Sequence, residues 1–430
     1  MKSVASIRDR DKAIILDVIR RFGPLSRVEI HEFTHIRPAS ISQLTRELIC
    51  SDTIREAGLL DNPTGRKQIL LEMNENAGSI VAIDFDAELV RAAVLDCRPA
   101  VIRQTHAEPT DRAGGVEGLV QQLLRCAREA IHESGADPSR IIGLGVGDPG
   151  IVDSRRGLSV ASSTIDFWRD VPLRERFASE FGIPCVVADN TRARTVAERV
   201  LGAGRRSDDM IFVEYGSGIG AGMFCGGRVL VGDRFVAGEF GHTHLAVNGP
   251  PCRCGSFGCL EAIAGLGALE SNIRRAIRDG GCSICLEMAG GDIDRITGWN
   301  VLEAARRGDK MSITLVEEIG NYLGLGIANL VNLFNPALIV LDKRLALAGD
   351  LLIDQIGRTV RRQSLAYSSE RLEFRFGALG DEAGLLGVAL LVLENAFEVP
   401  ALKPPRFLVD ASLTPKAHRS PGPKPEKAIR

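Results

Sequence analysis

The stretch "GEFGHTHLAVNGPPCRCGSFGCLE", Gly238 to Glu261, gathers His242, Cys252, Cys254 and Cys259 into one loop of a chain that has only 7 histidines and 10 cysteines. One imidazole and three thiols at this spacing form the tetrahedral donor set that zinc favours. The alternative, cysteines packed as small apolar groups, fits poorly because "PPCRCGSFGC" is too polar and glycine-rich for a core. Four protein ligands leave no open position for a reactive water, so one structural Zn2+ per chain is expected. His244 is read as a bystander, and Cys282 and Cys285 as ordinary thiols.

Around this loop lies a chain of 430 residues, 45% hydrophobic and 25% charged, the composition of an ordinary globular protein. No apolar run approaches the roughly 20 residues that cross a bilayer, and "MKSVASIRDRDKAI" lacks the apolar centre of a secretory signal. A cytoplasmic protein without a membrane partner is expected. The net charge of -2 is unevenly spread: both ends of the chain are mildly basic and the body between them is acidic. Basic ends suit a terminal part that meets phosphates.

Upstream, "DKAIILDVIRRFG" sets Ile14, Ile15, Val18, Ile19 and Phe22 at helical intervals before Gly23-Pro24. "LSRVEIHEF" places Ser26 three residues before Glu29, a capping box. "IRPASISQLTRELIC" puts Pro38 at a first helical position with Ile41, Leu44 and Leu48 inward. Then "IREAGLLDNPTGRKQILLEMN" reads as strand, Asn62-Pro63-Thr64-Gly65 turn and strand. Three helices and a basic hairpin make a winged helix-turn-helix over residues 1–75, whose third helix enters the major groove of duplex DNA. Ser40, Ser42, Gln43 and Arg46 are the candidate DNA contacts of that helix, and Arg66 and Lys67 those of the wing.

From Ser79 the pattern becomes α/β. "SIVAIDFD" and "LVRAAVLD" read as paired strands, "VEGLVQQLLRCAREAIHESG" as a helix, and "IIGLGVGDPGIVD" as a buried strand ending in a glycine-rich turn. The plan starts again at "DDMIFVEYGSGIGAGMFCGGRVL" and closes with "NPALIVLD" and a glycine-rich helix, so residues 76–400 read as two related lobes. Residues 401–430, rich in proline and cations, read as a disordered tail.

The motifs "TGRKQ", "GVGDPGIVD", "GIPCVVADN", "YGSGIGAGM", "GEFGH", "CRCGSFGCLE" and "LGDEAGLLG" resemble those of the ROK family of repressors and sugar kinases, over essentially the whole chain to about residue 400. The resemblance implies an actin-like, hexokinase-like (ribonuclease H-like) fold with a sugar cleft between its lobes, and the same four zinc ligands. The zinc loop 238–261 would then hold Glu239, His242 and Glu261 where they can exchange hydrogen bonds with sugar hydroxyls. By the same analogy Asp189, Asn190 and Gly150 complete the sugar contacts; turn and helix-cap duty is the plainer role for such residues.

Two departures from the family's kinases stand out. Their first phosphate loop resembles Asp-x-Gly-Gly-Thr, whereas this chain has "DFDAELV" from Asp84, with Asp86 and Glu88 where phosphate would sit. Their general base is the Asp of an Asn-Asp pair; here the spacing to Glu198 puts Asn190, which accepts no proton, at that position and Asp189 before it, while a shifted alignment, the poorer fit, would make Asp189 the base. The second loop, "YGSGIGAG", keeps its glycines, which also serve turns. The expected function is a transcriptional regulator, a repressor of carbohydrate genes, that binds an operator as a homodimer or higher homo-oligomer and responds to a sugar, without kinase activity. A sugar kinase with an added DNA-binding domain is the alternative, and a scaffold for a protein partner a third.

Overall fold

The computed structural model describes residues 7–60, 67–75, 77–97, 102–205 and 207–396. Arg66, the turn before it and the 401–430 segment lie outside the described residues. The described chain divides into two compact units, one holding the N-terminal elements and the other formed by Ile80–Val94 with Ile102–Val392.

In the first unit, three helices (Ile7–Phe22, Arg27–Thr34 and Pro38–Cys50) are followed by strands Ile54–Leu60 and Gln68–Met73, which pair antiparallel. A short strand, Leu25–Ser26, joins the far edge of that hairpin. Ser26 Oγ accepts from Glu29 N at 3.2 Å and Glu29 Oε2 accepts from Ser26 N at 2.7 Å, so both partners of the capping box satisfy helix-end donors. Pro38 occupies the first turn of the third helix, where its fixed φ costs nothing. Ile41, Leu44 and Leu48 are buried with Ile15, Val18, Ile19, Ile30 and Phe33. Truncating one such leucine to alanine would cost about 2–5 kcal/mol. Three helices followed by a hairpin is the element order expected of a winged helix-turn-helix.

The second unit repeats one plan twice. The first sheet runs Ile102–Pro109, Leu89–Asp96, Ser79–Phe85, Ile141–Asp148, Cys185–Asp189. The second runs Arg228–Val229, Ile219–Cys225, Met210–Tyr215, Leu338–Leu341, Glu373–Phe376. Numbered within each lobe, both orders are 3-2-1-4-5, the actin-like, hexokinase-like arrangement. The fourth and fifth strands are parallel in both. Strand Ser79–Phe85 is buried at every position, as befits a sheet centre covered on both faces. Each lobe has its own apolar core, the first around Trp168, Phe85 and Phe177, the second around Tyr215, Phe240 and the long helix Lys310–Phe334.

A small antiparallel sheet of Ile151–Asp153, Leu158–Ala161 and Arg169–Val171 extends the first lobe beyond the "GDPG" turn, where the sequence suggested only a turn. The glycine-rich final helix, Ala383–Ala396, owes its close approach to Gly387, where a Cβ would fall 1.9 Å from the carbonyl oxygen of Ala193. Among the described residues no helix is long and apolar enough to cross a membrane.

Candidate functional site

The facing ends of the two lobes enclose a cavity of about 370 Å³. Gly150, Asp189, Asn190, Glu239, His242 and Glu261, the six residues singled out for sugar contact, all line it. They arrive on several supports. Asp189 ends a strand of the first lobe and caps the helix Asn190–Val200, accepting from Arg192 N at 2.8 Å. Glu239 opens a 3-10 turn that delivers His242, and Glu261 lies in the first turn of helix Leu260–Ala264. The Glu261 carboxylate is aimed by Ile219 N, 2.9 Å away in the second lobe's sheet.

The loop carrying them is knotted on itself. Cys252 N donates to Ser256 O at 2.8 Å and Gly255 N to Cys252 O at 3.0 Å, forming a tight knuckle. His242 Nδ1 lies 3.6 Å from Cys252 Sγ, and Cys254 Sγ lies 3.8 Å from Cys259 Sγ. All four donor atoms fall within 4.8 Å of one another. Ligands around one tetrahedral ion at zinc bond lengths stand about 3.3–3.8 Å apart, so the set suits such an ion. His242 turns its other nitrogen, Nε2, toward Glu239 Oε2 at 4.0 Å. The same ring can therefore serve the metal by one nitrogen and the cleft by the other. His244 is exposed and stands outside this donor set; Cys285 is buried beside Ser312 and Cys282 is exposed.

The end of the cleft that carries Glu239, Asp189 and Glu261 is acidic. Burial raises the Glu239 carboxyl above its ordinary range, with Asp189 and Glu261 adding to the effect and His242 opposing it. Its side chain keeps 48% of its surface and lines the cleft. Asn190 donates from Nδ2 to Phe85 O at 2.7 Å, while its Oδ1 is buried without a partner. Gly150 lies so close to Ala161 O that a Cβ would come within 2.3 Å, and its N–H is spent on Asp148 Oδ1 at 2.8 Å. Asp148 was missed in the sequence, although it stands in the quoted "GDPG". Burial pushes this carboxyl up to about 6, against hydrogen bonds from Trp168 Nε1 at 2.7 Å and Gly150 N.

At the other end of the cleft the polar groups are paired with one another. After strand Ser79–Phe85 the Asp86 carboxylate accepts from Glu88 N at 2.8 Å and Leu89 N at 2.9 Å. The turn's own side chain thus occupies amides that a phosphate would need, a stronger obstacle than the charge repulsion read from sequence. Behind it, buried Arg194 reaches Asp84 Oδ2 at 3.0 Å and Glu214 Oε1 at 2.9 Å, linking the two lobes. Arg344 pairs with Asp342 at 2.8 Å and stacks over Trp299, its guanidinium lying against Gly216 of the second glycine loop. Burial raises the carboxyls of Asp84 and Glu214, and Arg194 counters it in both.

Of the DNA-contact candidates, Ser42, Gln43, Arg46 and Lys67 are exposed and Ser40 half-buried. Arg37, at the N-cap of the same helix, is exposed as well.

The likenesses to known proteins fit this geometry. The chain is 27% identical to the xylose repressor of Caldicellulosiruptor bescii, over 92% of this chain and 98% of that one. It is 27% identical to the DNA-binding transcriptional dual regulator NagC of Escherichia coli strain K12, over 84% and 87%. Among solved structures, a ROK family transcriptional regulator homologous to the E. coli MLC protein superposes with a TM-score of 0.78 at 25% identity, over 91% of this chain and 97% of that one. A ROK family glucokinase from Streptomyces griseus, in complex with glucose and AMPPNP, gives 0.66 at 30% identity, over 73% and 99%. With the ROK family model matching residues 80–395, this chain belongs to the ROK family.

Proposed function

We propose that the chain is a sugar-responsive transcriptional repressor with residues 1–75 as its DNA-binding domain and residues 76–400 as its sensor. The observation that carries this is the contrast within one cleft. The sugar end presents unspent carboxylate oxygens and an imidazole nitrogen, while at the phosphate end Asp86 and Arg194 are paired within the protein. A site that can hold a sugar but whose polar groups at the phosphate end already have partners can sense without phosphorylating. Asn190, whose amide holds the strand at Phe85, takes no proton, and Asp189 is engaged as a helix cap.

One structural zinc held by His242, Cys252, Cys254 and Cys259 stiffens the loop that carries Glu239 and Glu261. Glu239, His242, Glu261, Asp189, Asn190 and the backbone at Gly150 bind the sugar. Ser40, Ser42, Gln43 and Arg46 read or grip the major groove, and Arg66 and Lys67 of the wing meet the backbone. The likeness to the xylose repressor and to the MLC homologue runs through the N-terminal part, whereas the glucokinase covers only about three quarters of the chain, which supports a regulator over a kinase. Two such domains in a homo-oligomer would read paired half-sites. The sugar acts by binding the DNA-competent and DNA-incompetent states with different affinity.

The test is fluorescence anisotropy of the full-length protein on the promoter of its own operon, with and without a sugar found by thermal-shift screening. Specific binding that changes with the sugar, together with no ADP release from ATP over the same panel, is expected. Turnover of about 1 per second or faster on any sugar overturns it.

A further inference from the structure

The loop that joins strand Arg228–Val229 to Glu239 leaves the second lobe and meets the first. Its base is closed by Ala237 N, which donates to Val231 O at 3.3 Å, and by Gly238, packed so tightly that a Cβ would fall 2.1 Å from Ala221 O. Within the loop Phe235 holds a φ of 62°. That left-handed conformation suits Gly, Asn or Asp, and a bulky aromatic residue in it is strained. Glycine would serve this backbone at lower cost, so the ring itself must do something that offsets the strain.

The ring faces two guanidinium groups. Arg155, in the turn between strands Ile151–Asp153 and Leu158–Ala161 of the first lobe, has its guanidinium carbon 5.0 Å from the ring centroid. Arg192, on helix Asn190–Val200, stands at 6.0 Å. Both distances lie within reach of cation–π attraction, which needs the negative face of an aromatic ring and is absent from an aliphatic side chain of similar bulk. Arg155 is exposed, whereas Arg192 is buried and tied on its other side. Its Nη2 donates to Ser154 Oγ, and its Nε lies 3.3 Å from Asp189 Oδ2. Phe235, Arg192 and Asp189 thus form a row from the second lobe's loop to the wall of the cavity, and the loop itself runs on into Glu239 on the same cavity.

We propose that Phe235 is a positioning residue: gripped by Arg155 and Arg192, its ring pins loop 230–238 of the second lobe to the first lobe and keeps Arg192 behind Asp189. When the ring lets go, the lobes loosen at this edge and Asp189 loses the guanidinium that aims one of its oxygens. Arg194 still bridges Asp84 and Glu214, so the loosening stays local. The task of Asp189 as a sugar contact rests on the function proposed above, whereas the latch can be read with no sugar added, so failure of one leaves the other standing.

The experiment is amide hydrogen exchange by mass spectrometry on the full-length protein, without sugar, comparing wild type with Phe235→Leu, Phe235→Tyr and Arg155→Ala. Leucine keeps the apolar bulk and loses the ring face. Phe235→Leu should therefore speed exchange about 3- to 10-fold in peptides over 153–157, on the other lobe, and in those carrying the Arg192 amide, which donates to Asp189 Oδ1 at 2.8 Å. Arg155 is exposed, so Arg155→Ala should fold, and it should speed exchange over 230–238 by a similar factor because the coupling is reciprocal. Phe235→Tyr keeps the ring face and should exchange as wild type does. A Phe235 that merely fills space would loosen its own loop alone. Unchanged exchange over 153–157 in Phe235→Leu, unchanged exchange over 230–238 in Arg155→Ala, or a tyrosine variant as loose as the leucine one overturns the proposal.

Discussion

The two ends of one cleft have been treated in opposite ways. At one end, Glu239, His242 and Glu261 are presented on a loop cross-tied by four metal-type donors, with polar atoms left open to the cavity. At the other, polar groups of equal strength are consumed by each other: Asp86 by its own turn, Arg194 by Asp84 and Glu214, and Arg344 by Asp342. The glycines of "YGSGIGAG" survive at that end and lines of the cavity still pass them. A phosphate needs donors with no other partner, and at this end the turn amides and the guanidinium groups already have one although the glycines remain.

The comparison can be broken most sharply at the loop. Cys254→Ser should lose the loop zinc and, with it, all response to sugar, since structural zinc sites contribute about 10–16 kcal/mol to folding of small domains. Metal analysis and thermal shift with sugar check this; a full complement of zinc in that variant would mean other ligands. Next in size, Arg194→Met strips a guanidinium from two buried carboxylates and should cost about 3–5 kcal/mol in urea unfolding. A loss below about 1 kcal/mol would show that this end is not held by this pair.

Asp148 offers a comparable effect read through pH. Its folded carboxyl titrates at about 6 against an ordinary 3.8, so between those values the native state holds more protons than the unfolded one. Stability therefore falls as pH rises from about 4 to about 6, by on the order of 2–3 kcal/mol from this group. Asp148→Asn should flatten that fall; Asp84 and Glu214, also raised, keep some slope. Denaturant midpoints across this range decide it, and an unchanged profile refutes the assignment.

Smaller changes sharpen the contrast. Glu261→Gln should weaken sugar binding by about 1.5–3 kcal/mol and leave DNA affinity near wild type, because the residue faces the cleft. A normal sugar response in that variant would remove Glu261 from the site. Smallest, Lys67→Ala should leave the sugar response intact and lower the salt slope of operator binding by about one. Equal affinity and slope at all salt concentrations would take the wing off the DNA.

Much of this was legible early because it is local. The donor spacing from His242 to Cys259, the Ser26–Glu29 box and the apolar stripe through Ile41, Leu44 and Leu48 depend on neighbours within a loop or a few helical turns. Helix and strand periodicity likewise announced two α/β lobes. Other features were written in residues whose meaning depends on distance in space. Arg194 reads as one more cation in "NTRAR", yet its partner Asp84 lies 110 positions upstream. Asp148 stood inside a quoted motif, but only Trp168 and the surrounding burial set its acidity.

The sequence alone therefore determined the kinds of parts: a three-helix unit with a hairpin, a two-lobed body and a thiol-rich loop, since periodicity and ligand spacing are properties of adjacent residues. Tertiary structure alone decided how the polar groups are shared out. It assigned Asn190 to the Phe85 carbonyl, Asp189 to a helix cap, His242 Nδ1 to the thiols and Arg194 to two carboxylates on opposite lobes. Which donors remain unspent for a ligand is a sum over contacts between segments far apart in the chain, and burial sets the strength of each.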